Sequence, residues 1–315
     1  MRSQTSSRRE FLRGMVATTG LAAAGTGVMG AVARARSGKL HVACNQYSWS
    51  VFYAREKKDF NASLDAGFAD VAASGIDGFE PGVGGLAQIE PMIPLLKKHG
   101  LEMRSLYVNS TLHEPAQAEK SIEEVLAAAA KAKTAGTRII VTNPSPIQWG
   151  GAQDKTDEQL KTQGEALNKL GAKLKAMGLT LAYHNHDMEL RNAAREFHHM
   201  MVGTDPKNVT LCLDAHWVYR GSGNSQVALF DVVKLYGRRV TELHLRQSQN
   251  GVWTEVFGPG DIDYPRLAES LRKMRVKPLL VLEQAIENGS PNTTKPVEAF
   301  KKSVAYTRQV FANFA

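Results

Sequence analysis

Five times along this chain a helical pattern runs into a glycine and then, almost at once, into a short run that is apolar at most positions. Ala73-Ser74-Gly75 leads into Ile76-Asp77-Gly78-Phe79-Glu80, Lys98-His99-Gly100 into Leu101 to Leu106, and Thr134-Ala135-Gly136 into Thr137 to Val141. Ala176-Met177-Gly178 leads into Leu179 to Tyr183, and Leu235-Tyr236-Gly237 into Val240 to Leu245. Glycine after a helix supplies the left-handed residue that ends it. A run of about six residues, apolar on both faces, reads as a strand buried on both sides. Helices alternating with such strands make βα units and a parallel sheet.

Eight strands are expected, at 40–46, 76–80, 102–108, 138–142, 180–184, 209–214, 240–245 and 279–283, with a last helix from Lys295 to Phe314. Eight βα units in about 280 residues is the size of a (β/α)8 TIM barrel. No Pro/Gly/Ser linker divides the chain, so residues 36–315 are read as a single α/β domain. A doubly wound open sheet would usually carry a Gly-rich loop after its first strand; here Asn45-Gln46-Tyr47-Ser48-Trp49 follows instead.

Residues 1–35 read as an address. Ser7-Arg8-Arg9-Glu10-Phe11-Leu12-Arg13 is followed by the weakly apolar stretch Gly14 to Val32 and by Ala33-Arg34-Ala35, spaced for a signal peptidase. This is the order of a twin-arginine signal, which predicts export to the periplasm. Cleavage after Ala35 removes five Arg and one Glu, so the formal charge of +8 falls to +4. No Lys/Arg-rich block remains to track phosphates, which removes the support for nucleic-acid binding. No apolar run reaches the ~18 residues of a spanning helix, so stable membrane insertion is not expected. Cys44 and Cys212 fall inside expected strands far apart in sequence and are read as buried free thiols, although the periplasm permits disulfides.

In a barrel the chemistry sits where the strands end. The fifth expected strand ends in Tyr183-His184-Asn185-His186-Asp187 and the sixth in Leu211-Cys212-Leu213-Asp214. The seventh carries Leu243-His244-Leu245-Arg246-Gln247 and the eighth ends in Leu282-Glu283-Gln284. Two residues before the four candidates stand Ala182, Cys212, Glu242 and Val281. By the period of two these share the inward face, where all but Glu242 suit a packed interior. Any one charged strand end can simply cap a loop. Two imidazoles and two carboxylates converging on one mouth suit one divalent ion, Mn²⁺, Co²⁺, Zn²⁺, Fe²⁺ or Mg²⁺, rather than a thiolate-closed structural zinc.

The motifs from Leu179 to Gln284 carry a resemblance. Ala-Tyr-His-Asn-His-Asp at 182–187, Leu-Asp-Ala-His-Trp at 213–217, His-Leu-Arg-Gln-Ser at 244–248, Gly-Pro-Gly-Asp-Ile-Asp-Tyr at 258–264 and Leu-Glu-Gln at 282–284 resemble the xylose isomerase-like TIM barrels, the sugar phosphate isomerase/epimerase superfamily. The likeness extends over essentially the whole chain after the signal. It implies one divalent metal held by Glu, Asp, His and Glu from strands five to eight. The last three match Asp214, His244 and Glu283. At the first, His184 stands where Glu is usual, as in a branch carrying Tyr-His-Asn-His, which lowers the negative charge of the site by one.

Around these ligands the same reading places candidates for catalysis. His186 is a candidate acid/base or substrate contact, or a histidine behind the ligands. Glu189 is a candidate base, or a helix-start residue. Glu80 is a candidate contact to a sugar hydroxyl at the mouth, and Arg246 a candidate holder of an oxyanion, or part of an ion pair. Gln247 stands where family members often have Asp. Trp217 and Trp253 are expected on mouth loops, where they would stack on a sugar or pack the loop. His198-His199 is expected on the helix surface, and Asp263 before Pro265 as a helix N-cap.

The resemblance implies a metal acting as Lewis acid on a sugar carbonyl and hydroxyl, with an enediolate formed by removal of a neighbouring C–H proton. The expected activity is a sugar isomerase or epimerase; elimination of the aglycone of a 3-keto-glycoside, a lyase reaction, shares the first step. The export signal and the missing phosphate cradle point to an unphosphorylated carbohydrate substrate. A non-catalytic subunit exported with an oxidoreductase is the reading from another class, and a homo-oligomer stays open. Metal-dependent nucleases of this barrel use three zincs and extra histidines, for which a single ligand set does not suffice.

Overall fold

The structure, a computed structural model, describes residues 39–315. The address read at residues 1–35 lies outside the described residues. The strands are β1 (Val42–Asn45), β2 (Gly78–Glu80), β3 (Gly82–Val83), β4 (Ser105–Val108), β5 (Ile139–Thr142), β6 (Thr180–His184), β7 (Val209–Asp214), β8 (Val240–Leu245), β9 (Ser248–Gln249), β10 (Val252–Trp253) and β11 (Leu279–Leu282). Nine of them form one sheet in the order β2-β1-β11-β8-β7-β6-β5-β4-β3. Its pairs are parallel, as strands joined by helical crossovers must be. β9 and β10 form a separate antiparallel hairpin after β8.

Nine strands make eight staves because the second stave is broken at Pro81. Proline has no N–H for the ladder, so it divides β2 from β3. β2 meets the run before β4 through the Gly78–Glu102 bridge, and β3 continues along Tyr107 and Val108, so the sheet closes into a barrel. The Pro81 carbonyl still accepts from the Tyr107 N–H at 3.0 Å. A Cβ at Gly78 would lie 2.7 Å from the Glu102 carbonyl oxygen, so the seam requires the missing side chain.

Four of the five junction glycines behave as the sequence predicts: Gly75, Gly100, Gly136 and Gly178 have φ of 81°, 69°, 99° and 75°. Gly237 does not. Its φ is −55°, and what excludes a side chain is the Met274 sulfur, 2.8 Å from where a Cβ would sit.

The two faces of the staves differ in kind. Leu181, Leu211, Leu243 and Leu280 belong to the large core between sheet and helices. Their neighbours Val141, Ala182 and Cys212 form a small separate cluster inside the barrel. Tyr107 and Ile139 pack against this small cluster, and the polar groups lie above it. Cys44 and Cys212 are buried free thiols, as expected, and the Trp49 indole N–H donates to the Cys44 sulfur at 3.2 Å. The first helix after β1 (Gln46–Arg55) locks to the last helix (Pro296–Val310) through Trp49 stacked on Phe300 at 4.6 Å. Asp263 caps its helix by accepting from the Arg266 N–H, as read. No helix among the described residues is long and apolar enough to cross a membrane.

Two glycines of the helix Asp157–Ala176 separate close approach from mere helix weakening. A Cβ at Gly171 would lie 2.2 Å from the Asn208 carbonyl oxygen, whereas one at Gly164 meets nothing nearer than 3.9 Å. Gly171→Ala is expected to destabilise the fold by about 1–3 kcal/mol through overpacking. Gly164→Ala is expected to stabilise it by up to about 1 kcal/mol. Urea unfolding of both variants checks the pair; equal effects would contradict it.

Candidate metal centre and active site

His184 ends β6, Asp214 ends β7, His244 is the fifth residue of β8, and Glu283 follows β11. Register carries them to one level: Asp214 pairs with His244, and His244 with Val281, two residues before Glu283. One ligand atom from each of the four lies within 4.8 Å of every other, and all four residues are buried. His184 Nε2 is 3.1 Å from His244 Nδ1, which is 3.0 Å from Glu283 Oε2. His184 Nε2 also lies 3.9 Å from Asp214 Oδ2 and 3.8 Å from Glu283 Oε2.

These donors fit a divalent ion. Asp214 Oδ2 is buried without a hydrogen-bond partner, a costly state for a carboxylate. Its other oxygen accepts from the Trp217 N–H at 2.8 Å and caps the helix Ala215–Gly221. Asn185 fixes the Asp214 backbone by donating to its carbonyl and accepting from its N–H, both at 3.1 Å. Without an ion, burial pushes the Asp214 carboxyl up to about 7 against the pull of Arg246. Burial lowers His184 to about 3, which leaves it neutral and ready to offer a lone pair. The Cys212 sulfur is also within reach of both imidazoles, but burial raises its thiol well above the ordinary value and keeps it protonated.

Below the ligands lies the partner that Glu242 lacked in the sequence. His244 Nε2 faces Glu242 Oε1 at 3.0 Å and Glu80 Oε1 at 3.2 Å, so the imidazole stands between two layers of carboxylates. Glu80 Oε1 also accepts from Asn45 Nδ2 at 2.7 Å. Burial opposes ionisation at both acids. At Glu80 the His244 charge and its hydrogen bonds outweigh burial and hold the carboxyl at about 2; at Glu242 burial and the Glu80 charge add, and the carboxyl rises well above its usual range. Burial lowers His244, but Cys212, the Glu80 charge and the hydrogen bond with Glu242 outweigh it and raise the imidazole well above its ordinary value.

A cavity of about 470 Å³ opens above the cluster, and Glu283 is the one of the four ligands on its wall. His186 lies on the wall too, its ring 5.1 Å from Trp149 and 5.7 Å from Trp217. Burial lowers the His186 imidazole to about 4, so it is neutral near pH 7. Arg246 is buried over Trp217 at 4.9 Å and Trp253 at 4.2 Å, and its Nη2 meets Glu283 Oε2 at 3.1 Å. It donates from Nε to the Glu283 carbonyl at 3.0 Å, while Nη1 is buried without a partner. Burial raises the Glu283 carboxyl, but Arg246 and the two histidines overcome this and hold it well below its usual range.

Several readings of the sequence change here. Glu80 does not face the mouth: it is fully buried beneath His244. Glu189 is not a free base, because Oε2 accepts from the His186 N–H at 2.6 Å and Oε1 from Asn143 Nδ2 at 3.0 Å, so it holds the loop that carries His186. Trp217 is on a helix and Trp253 on a hairpin strand, and both pack against Arg246. Gln247 fastens the segment 258–262, donating to the Gly258 and Ile262 carbonyls and accepting from the Ile262 N–H. His198 is half-buried and bonded to Tyr236, away from the cavity. A larger cavity of about 1210 Å³ lies at the opposite end, among Lys39, Leu101, Arg138 and Lys277, and holds none of these residues. The sequence reading passed over Tyr107, whose ring meets His184 at 5.3 Å, and Trp149, which follows β5 in a loop without periodicity. Tyr107 lies inside β4, where it reads as one more strand aromatic, and nothing in the loop sequence marks Trp149.

Residues 68–310 match the family model of the xylose isomerase-like TIM barrel. An inosose dehydratase of Mesomycoplasma hyopneumoniae is 24% identical over 274 residues, covering 79% of this chain and 89% of its own. A sugar phosphate isomerase/epimerase from Parabacteroides distasonis superposes with a TM-score of 0.67 at 18% identity, over 92% of this chain and 99% of that one. A 3-keto-D-glucoside 4-epimerase from E. coli does so with 0.63 at 16% identity, over 86% and 100%. Site geometry, fold and sequence match agree: this chain belongs to the xylose isomerase-like TIM barrel family.

Proposed function

We propose that this protein is a divalent-metal-dependent isomerase or epimerase that moves a proton at a carbon beside the carbonyl of an unphosphorylated sugar or keto-sugar. The observation that carries this is the convergence of His184, Asp214, His244 and Glu283 beneath a cavity that Glu283 and His186 both reach. These four residues would hold the ion, and when bound it supplies Lewis-acid polarisation of a carbonyl oxygen. Mn²⁺, Co²⁺, Zn²⁺ and Mg²⁺ all suit mixed nitrogen and oxygen donors.

The chain's own groups divide the remaining work. Arg246 keeps Glu283 ionised and in place, and its free Nη1 is available to an oxygen of the substrate. With Glu80 and Glu189 engaged elsewhere, His186 is the candidate acid/base that remains on the cavity wall, neutral and able to take a proton at a ring nitrogen. Among the described residues Arg246 is the one cation on that wall, and it is already paired to Glu283, which disfavours a phosphorylated substrate. Removal of the same proton followed by loss of a group from the next carbon is the second reading, favoured by the relatives named inosose dehydratase.

Elemental analysis of the folded protein is expected to find about one divalent ion per chain, and His244→Ala to lose it. Incubation of keto-sugars and glycosides in D₂O is expected to yield an isomer carrying solvent deuterium at unchanged composition. Release of water or an aglycone would establish the lyase reading, and inertness of the metal-loaded protein would leave a binding partner of an exported oxidoreductase.

Metal binding must displace protons. Asp214 holds one below about 7, whereas His184 is already neutral. Mn²⁺ affinity is therefore expected to rise with pH, by about fivefold between pH 6 and pH 7 from the Asp214 proton. Calorimetric titration at pH 6 and pH 7 checks this, and equal affinities would contradict it. We further propose export to the periplasm by the twin-arginine route. Replacing Arg8 and Arg9 by Lys is expected to retain the protein in the cytoplasm, as fractionation would show.

A further inference from the structure

Resting on the reading of the cavity above Glu283 as the substrate site, we propose that the substrate is a two-ring glycoside: a reacting sugar joined to a second, neutral ring that Trp149 and Tyr47 hold at the rim. The proposal begins from the surface. Six large apolar side chains are exposed among the described residues: Tyr47, Leu86, Trp149, Val202, Val227 and Leu235. Two of the six are aromatic, Trp149 at 53% and Tyr47 at 46% exposure, and both line this one cavity. Exposed aromatic rings rimming a polar cavity are the usual platforms for flat, partly apolar ligands.

Position separates this rim from the reacting end. The His186 ring is 4.8 Å from the ligand His184, and the Trp149 ring lies a further 5.1 Å from His186. Trp149 thus stands one ring beyond the imidazole that adjoins the cluster. At 82° to His186, the indole gives that ring at most one face and keeps the other for a ligand. Tyr47 stands at the start of the helix Gln46–Arg55, so the second exposed ring reaches the cavity from a different stave of the barrel.

The wall between floor and rim fits the same occupant. Ser50 and Asn109 supply a hydroxyl and an amide for hydroxyl groups, while the amides of Asn45 and Gln46 are bonded within the protein. The sole cation of the wall, Arg246, is buried at the floor and paired to Glu283, so nothing at the rim attracts a charge. A neutral ring, a second sugar or a phenyl group, is what this chemistry selects.

The test is equilibrium binding to the Mn²⁺-loaded protein, measured by calorimetry and by saturation transfer from protein to ligand protons. The probes are D-glucose, cellobiose, maltose and the two anomers of phenyl glucoside. At least one two-ring probe is expected to bind about tenfold more tightly than glucose, an advantage of the size one stacked ring supplies. Its second ring should receive the stronger saturation. Trp149→Ala should abolish that advantage, and Trp149→Phe should restore most of it. Trp149 is on the surface of its loop, so these variants fold. The proposal is overturned if glucose binds as tightly as every two-ring probe, or if the advantage survives Trp149→Ala. Absence of all sugar binding overturns it together with the carbohydrate reading. Absence of deuterium exchange with the binding advantage intact overturns only the proposed reaction.

Discussion

Everything at the mouth of this barrel is arranged around one imidazole. His244 offers Nδ1 upward to Glu283 and His184 and Nε2 downward to Glu242 and Glu80. Four carboxyl groups are buried at this level, far more than a dry interior tolerates unless charges are paired or protons retained. Arg246 answers Glu283, Asn45 answers Glu80, and Glu242 keeps its proton. With its lower nitrogen taken by the carboxylates beneath, His244 presents the upper one to the cluster. Carboxylate, imidazole and metal in series is the usual way a protein orients a histidine ligand.

The barrel makes this arrangement affordable in space. Small residues, Ala182, Cys212 and Val141, fill the interior lower down, so the staves approach closely enough for side chains from four of them to meet. The hydrophobic free energy comes chiefly from the other face of the sheet, where the leucines of β6, β7, β8 and β11 lie under the helices. The site therefore occupies a region that contributes little to the apolar core, and the helices carry the stability.

Much of this was legible before any coordinates. The strands ending in His184, Asp214 and Leu245 begin and end where their apolar runs do, because a strand buried on both faces leaves no ambiguity of period. The second stave was misjudged, since an apolar run says nothing of the Pro81 break that splits it. Glu80 and Glu189 show the limit of reading a face from periodicity. Register tells which way a side chain points but not how deep it lies, so a carboxylate under His244 looks the same in sequence as one at the mouth. Gly237 looked like a helix terminator and proved to be a clearance for Met274, a long-range fact that local pattern does not contain. Trp149 lies in a loop, where no periodicity marks the residues that face the cavity.

Asp214 is unlike the other three candidate ligands. One of its oxygens belongs to the cluster while the other closes the first turn of the helix that carries Trp217. Asn at this position would keep the cap and lose the charge; Glu would keep the charge and carry the carboxyl a methylene too far to cap. Each ordinary substitution thus breaks one of two tasks. His184 has no such double duty, its Nδ1 being unengaged. Of the four positions, the end of β6 is the one at which exchange between imidazole and carboxylate costs least, and the end of β7 is where drift of the sequence is most tightly confined.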